Sequence, residues 1–321
     1  MDIHDVVIGI RLGFSDCHAA LVNREGALIR HETSAIGSAQ GEQIAALITG
    51  QIEDLLAHAA LKYLKVEGIG ISVPGISDQR NRTVWSPRMG GWEKFPLFKY
   101  LKDHLTRQEL PVIIESEPGC SLLGECWLGA ARNAQHAVYI SVGHEITAGL
   151  LVDGRMIRGS HDLAGAVGWM ALQRSYGNQF KSDGQLNYFA SEPGLVRNAI
   201  THTSKTSGRL FQKGKPDGFT PKDLFKAYEN KDAAAIKTID QAIELWGMAC
   251  ANLVSLLNPQ FIIFGGNLFG PGDRFLDRIY REAIRWAHPV AMRQVKFLIS
   301  ELKENAPLMG AAHMLFEHTS G

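Results

Sequence analysis

Two glycines, Gly265 and Gly266, directly follow the apolar run 261–264, and Asn267 comes next. Glycine has no Cβ atom, so a glycine turn at the end of a strand lets the backbone approach a flat ring closely. The pattern fits a turn that receives a planar heterocycle. It fits equally well a buried strand that ends in an ordinary tight turn.

Aromatic side chains are the other group with chemistry to offer. Aromatic faces pack against the apolar faces of sugar rings, and four such residues are candidates: Trp92, Trp169, Tyr188 and Phe189. Packing within a hydrophobic core is the alternative interpretation for each of them. Three histidines stand isolated in the sequence and are expected at the surface or in loops: His144, His161 and His202.

Charge and cysteine content narrow the class of protein. Lysine plus arginine and aspartate plus glutamate both number 33, so no overall positive field attracts nucleic acid. The four cysteines include no C-x-x-C pair, which is typical of reduced thiols in the cytoplasm. No apolar run approaches the roughly 18 residues of a membrane span. The chain enters a strand almost at once, so we expect a cytoplasmic protein without a leader, a membrane anchor or an N-terminal DNA-binding helix-turn-helix.

Strand and helix patterns organise these residues into two similar halves. A strand–turn–strand layout is predicted at residues 6–10 and 19–22, and again at 137–142 and 149–152. At 321 residues the chain has room for two α/β domains, and the duplicated layout predicts a cleft between them. Other strands are predicted at 27–33, 66–73, 112–114 and 261–264, helices at 44–64, 97–105, 121–128 and 235–257, and loops at 78–92 and 203–220.

Segment 256–268, with its long helix, Asn-Pro, buried strand and Gly-Gly turn, resembles the adenosine-side motif of the ROK family of repressors and sugar kinases. Other segments match the same family in the same order: 68–78, 86–92, 124–131, 153–168 and 309–312. The resemblance implies an α/β, two-domain, actin/hexokinase-like (ribonuclease H-like) fold. It also implies domains at 1–118 and 119–300, a C-terminal helix in 301–321 that packs back on the first domain, and a homodimer.

Two phosphate-binding loops of the kinases depart from the family pattern. Residues 11–16 stand where kinases have Asp-x-Gly-Gly-Thr-Lys, and residues 143–149 replace Gly-Thr-Gly-x-Gly-Gly-Gly. Arginine suits phosphate, so Arg11 is either an anion contact or a residue paired within the protein. Glu145 adds a charge that repels phosphate. By resemblance the nucleotide-binding candidates are Arg11, Gly13, Ser15, Gly143, His144, Gly265, Gly266 and Asn267.

The catalytic segment of the family, Glu-Asn-Asp, is matched by Glu115-Ser116-Glu117. Glu117 is thus the candidate general base, one methylene longer than the aspartate, and a solvated residue without a catalytic role is the alternative. Trp169 replaces an imidazole and Asn187 replaces a carboxylate among the sugar ligands. The sugar-binding candidates are Gly75, Trp92, Ser116, Trp169 and Asn187.

Between Trp169 and Asn187 there is no cysteine or histidine, so the structural zinc of many ROK proteins is not expected. No other metal or cofactor is assigned, and ATP with magnesium applies only to a kinase. The favoured interpretation is a carbohydrate-binding or regulatory pseudokinase, similar to the sensor module of ROK repressors without its DNA-binding domain. The alternatives are an active ATP-dependent hexose or N-acylhexosamine kinase and a non-catalytic dimeric partner protein.

Overall fold

The computed structural model describes residues 5–203, 210, 218–270 and 272–319, so most of the predicted loop at 203–220 lies outside the described residues. The chain divides into two compact units. Unit 1 comprises Met1–Asn133, Arg158–Ala164 and Glu301–Gly321, and unit 2 comprises Ala134–Ile157 and Gly165–Ser300.

Unit 1 contains two sheets and three helices from the first part of the chain. The strands are β1 (Asp5–Leu12), β2 (Asp16–Asn23), β3 (Leu28–Ala35), β4 (Lys65–Val73), β5 (Ile76–Asp78), β6 (Thr83–Trp85), β7 (Glu93–Phe95) and β8 (Val112–Ser116), and the helices are α1 (Glu42–Leu61), α2 (Leu97–His104) and α3 (Glu117–Trp127). The main sheet has the order β3-β2-β1-β4-β8, with β1, β4 and β8 parallel. The carboxyl ends of these three strands therefore share one edge.

Helix α1 covers one face of the main sheet because its apolar residues recur every three or four positions. Ile44, Ile48, Ile52 and Leu55 are buried in the core of unit 1. By length and composition alone this helix passes the test for a membrane span, which core helices of soluble proteins also pass. The sequence analysis had predicted no such segment.

The predicted loop at 78–92 contains one strand, β6, and has β5 and β7 at its two ends. These three strands form a second, antiparallel sheet. Each of the three strands has only three residues, too few for an alternating pattern to be visible in the sequence.

Unit 2 has one five-stranded sheet and six helices. The strands are β9 (Ala137–Val142), β10 (Ile146–Val152), β11 (Arg155–Met156), β12 (Phe261–Gly265) and β13 (Lys296–Ile299), and the helices are α4 (Gln185–Ala190), α5 (Glu192–Thr203), α6 (Pro221–Glu229), α7 (Ala233–Leu257), α8 (Leu276–Ile284) and α9 (Pro289–Gln294). The sheet order is β11-β10-β9-β12-β13, with β9, β12 and β13 parallel.

Helix α7 has clear start and stop signals. Asp232 accepts hydrogen bonds from the backbone N–H groups of Ala234 and Ala235, and Asn258 ends the helix in the left-handed conformation at φ 43°. Fourteen residues of the helix are buried in unit 2. The predicted helix at 235–257 is therefore confirmed.

The last helix, α10 (Ala306–Thr319), belongs to unit 1. It packs tightly on the main sheet, because an ideal Cβ on Gly70 of β4 would lie 1.8 Å from the carbonyl oxygen of Ala311. Gly310 packs against α3 in the same way, since an ideal Cβ on it would lie 1.7 Å from the carbonyl oxygen of Cys120. Since α3 packs with α10, unit 1 continues to Asn133, whereas the sequence analysis placed the first boundary at residue 118.

Candidate functional site

Glu117 begins helix α3 directly after strand β8, at the carboxyl edge of the sheet of unit 1. The hydroxyl of Ser121, one turn further along the helix, donates a hydrogen bond to Oε1 of Glu117 at 3.0 Å. The N-terminus of a helix also favours a negative charge. Both effects favour the ionised form of the carboxylate at the start of the helix.

Glu115 is buried and organises the residues around it. Its Oε1 accepts hydrogen bonds from the backbone N–H of Ser116 at 2.7 Å and from the Ser116 hydroxyl at 3.0 Å. Its Oε2 lies 2.6 Å from Nε of Arg158. Arg158 thus neutralises a buried charge, and Glu115 fixes the orientation of Ser116. The sequence gives no sign of this pairing, since the partners are 43 residues apart and no motif links them.

The thiol of Cys120 lies one turn into α3 but offers no nucleophile. Burial, and next the charge of Glu115, raise its pKa well above the ordinary value. The side chain is fully buried. Because the thiolate is the reactive form, Cys120 serves as packing.

The hairpin between β1 and β2 holds the nucleotide candidates Arg11, Gly13 and Ser15. Nη1 of Arg11 lies 3.2 Å from Oδ1 of Asp16, and the backbone N–H of Gly13 donates to the carbonyl of Asp16 at 2.8 Å. A Cβ on Gly13 would lie 2.6 Å from the same Asp16 carboxylate. Ser15 is exposed, and its carbonyl accepts a hydrogen bond from the backbone of Ile36. The arginine is therefore paired with a residue of its own hairpin.

Gly75 and Trp92 have structural roles in unit 1. Gly75 adopts φ 110°, and a Cβ there would lie 2.3 Å from the carbonyl oxygen of Trp85. Trp92 has 0% exposure, stacks on Phe95 with ring centroids 4.8 Å apart, and donates its indole N–H to the carbonyl of Gly41. The sequence analysis had allowed a ligand face on Trp92, but both faces of its ring lie in the core.

Two glycine turns lie side by side in unit 2. Gly265 of β12 pairs with Ser141 of the parallel strand β9. Both strands therefore end at the same edge of the sheet. Beyond them, the backbone N–H of Leu268 donates to the carbonyl of Val142 at 3.0 Å. A Cβ on Gly266, at φ 82°, would lie 2.7 Å from backbone atoms of Val142. The structure thus brings together the nucleotide candidates of unit 2, namely Gly143, His144, Gly265, Gly266 and Asn267.

His144 and Glu145 are exposed on the turn that follows β9, and Asn267 is exposed beside it. The turn itself closes through the backbone N–H of Gly143, which donates to the carbonyl of Glu145 at 3.1 Å. A carboxylate at this edge disfavours a phosphate. The glycines of the neighbouring turn pack against unit 2 itself, since a Cβ on Gly265 would lie 1.9 Å from the hydroxyl oxygen of Tyr139.

Asn187 and Trp169 differ in how much of the side chain is available to a ligand. Oδ1 of Asn187 accepts the backbone N–H of Ile146 at 2.6 Å, and Nδ2 donates to the carbonyl of Asp183 at 2.9 Å. Asn187 is 6% exposed and joins the start of β10 to the chain before α4. Trp169 ends the 3-10 helix Val167–Trp169 and is 55% exposed, with Gly184 packed beside its ring. Of the sugar candidates in unit 2, only the indole presents a large free surface.

The sequence model of the ROK family matches residues 7–318. The chain belongs to the ROK family. The xylose repressor of Caldicellulosiruptor bescii is 29% identical over 96% of this chain and 77% of its own length, and the glucokinase of Halalkalibacterium halodurans is 27% identical over 96% and 94%. Among solved structures, the ROK hexokinase from Thermus thermophilus aligns with a TM-score of 0.80 at 23% identity, covering 98% of this chain and all of that one. The predicted two-domain, actin/hexokinase-like α/β fold is therefore confirmed.

Metal ligands complete the description of this ROK protein. Within the described ranges, no group of three or more histidine, cysteine, aspartate or glutamate side chains is placed to hold one metal ion. The position that the family pattern gives to a histidine is Trp169, and an indole N–H has no lone pair to offer a metal. These residues do not fit the zinc of the family type.

Proposed function

We propose that this ROK protein is a sugar-binding regulatory pseudokinase. The observation that carries the proposal is the ion pair between Arg11 and Asp16 at 3.2 Å. A kinase needs a backbone cradle and an organised metal for the nucleotide phosphates at this hairpin. In this chain Arg11 and Asp16 of the hairpin pair with each other, and a Cβ on Gly13 would lie 2.6 Å from the same Asp16 carboxylate.

Unit 2 supports the same proposal. Glu145 adds a negative charge to the second phosphate turn, where a kinase needs bare backbone. Asn187 engages both ends of its amide with the backbone, so its side chain is a brace between β10 and α4. Among the sugar candidates of unit 2, the exposed indole of Trp169 is the group available to recognise a sugar.

Binding and turnover are measured separately on the intact protein. Calorimetry and thermal shift are run with glucose, xylose, N-acetylglucosamine and N-acetylmannosamine, each with and without ATP and magnesium. We expect one sugar to raise the Tm without nucleotide and ATP with magnesium to leave it unchanged. Since an aromatic contact contributes about 0.5–1.5 kcal/mol, W169A should weaken sugar binding roughly threefold to tenfold.

Trp286 supplies the matched control, because it is 56% exposed in the same unit and lies at the end of α8. W286A should bind the sugar as the unaltered protein does. If W169A and W286A bind equally well, Trp169 has no part in recognition. If none of the sugars binds, a non-catalytic partner protein replaces the proposal.

One observation favours an active kinase as the second candidate. Glu117 lies at the end of β8 with its carboxylate held by Ser121, which is a suitable placement for a general base. A coupled assay for ADP release with each sugar separates the two functions. ATP-dependent formation of a sugar phosphate that disappears in E117Q would establish the kinase and overturn the pseudokinase.

A further inference from the structure

Two imidazoles meet on one face of the β2–β3 hairpin. His18 is opposite Thr33, and His31 is opposite Ala20, so both side chains project from the same side of the sheet. Nδ1 of His18 lies 3.3 Å from Nε2 of His31. The ring centroids are 5.4 Å apart with the planes inclined by 20°. The two rings are therefore offset and nearly parallel, with one nitrogen of each within contact distance of the other.

We propose that His18 and His31 form a binding site for a divalent transition-metal ion that prefers imidazole, with zinc, nickel and copper as the candidate class. Bonds of about 2.0–2.1 Å from zinc to nitrogen at a tetrahedral angle place two nitrogens about 3.3–3.4 Å apart. The observed separation of 3.3 Å matches this distance. Because the described residues contain no group of three such ligands, water fills the remaining positions of the ion.

A carboxylate lies near the other ring nitrogen of His18. Oδ2 of Asp16 is 3.6 Å from Nε2 of His18, which is too long for a hydrogen bond but places a negative charge beside the ring. Arg11 pairs with the other oxygen of Asp16, so this carboxylate balances the arginine charge near the ion.

His31 supplies the second nitrogen of the proposed site. Nε2 of His31 faces Nδ1 of His18 at 3.3 Å, because Ala20, two residues beyond His18, is the register partner of His31. A neutral imidazole is the form that donates a lone pair to a metal. Both proposed ligands lie in unit 1, so the site is independent of the sugar and nucleotide candidates of unit 2.

Calorimetric titration of the untagged, full-length protein with zinc chloride tests the site. We expect one zinc per chain, and H31A should bind at least tenfold more weakly because one of two ligands is lost. His104 provides the control, since its ring is exposed and engaged with Tyr100. H104Q should leave the affinity unchanged. Copper added to the same proteins should give an electron paramagnetic resonance spectrum with one nitrogen fewer in H31A.

If H31A alters the structure of the hairpin, a second variant that should bind zinc more tightly still tests the proposal. Thr33 is directly opposite His18, and its hydroxyl lies 3.3 Å from Nδ1 of that residue. T33H would add a third imidazole to the same face and should tighten zinc binding at least tenfold. Equal zinc affinity in the unaltered protein, H31A and T33H would overturn the proposal.

Discussion

Asn187 shows how hydrogen bonding by a single residue separates a structural brace from a ligand group. Its carboxamide is buried, and each end has a backbone partner in unit 2, at 2.6 and 2.9 Å. A carboxylate at this position would accept the N–H of Ile146 but could not donate to the carbonyl of Asp183. The amide therefore suits the brace better than the acid that the family pattern has there.

N187A tests this role. The substitution leaves the buried N–H of Ile146 without its acceptor and should lower the free energy of unfolding by about 1–3 kcal/mol. Urea denaturation followed by circular dichroism measures the change. N267A is the control, because Asn267 is exposed and its loss should change stability by less than about 0.5 kcal/mol. Equal stability of the two variants would contradict the brace.

Ion pairs between individual side chains could not be predicted from the sequence. Arg11 could be judged only as an anion contact or an internally paired residue, and the ion pair with Asp16 follows from the geometry of the hairpin. The Glu115–Arg158 pair joins residues from distant parts of the chain. Periodicity reports which face of an element is buried, but it carries no information on which charges meet across elements.

At the scale of elements, long periodic segments were predicted well and short ones were missed. Strands β1, β4 and β12 and helices α1 and α7 all have apolar patterns of sufficient length. Strand β6 lies in the segment predicted as a loop, and β5 and β7 at its two ends were not predicted, because each of these strands is only three residues long. Trp92 was ambiguous for the same reason, since its burial depends on that small sheet and on Gly41.

Close packing between elements gives the next prediction. G70A would place a methyl group 1.8 Å from the carbonyl oxygen of Ala311, so α10 must move away from β4. We expect a loss of about 1–3 kcal/mol in the free energy of unfolding. Gly50 in α1 has no atom within 4 Å of an added Cβ, and G50A should stabilise the helix by about 0.5–1 kcal/mol. Chemical denaturation should show that the free energy of unfolding falls in G70A and rises in G50A.

At the scale of the whole molecule, neither unit is one continuous segment of the chain. Unit 1 begins at the N-terminus but takes its last helix from the C-terminus, and it also includes the short segment Arg158–Ala164. That segment is held by the Arg158–Glu115 ion pair and by Asp162, which accepts the backbone N–H of Gln79 at 3.0 Å. Unit 1 is therefore complete only after the entire chain has been synthesised.

Truncation after Ser300 tests this dependence. Without α10, the face of β1 and β4 that carries Gly9 and Gly70 loses its cover, since both glycines contact that helix. Hydrogen exchange followed by mass spectrometry should show fast exchange in β1 and β4 of the truncated protein. Strands β9 and β12 should stay protected, because their core comes from unit 2. Protection of β1 and β4 at the level of the full chain would show that unit 1 folds without its C-terminal helix.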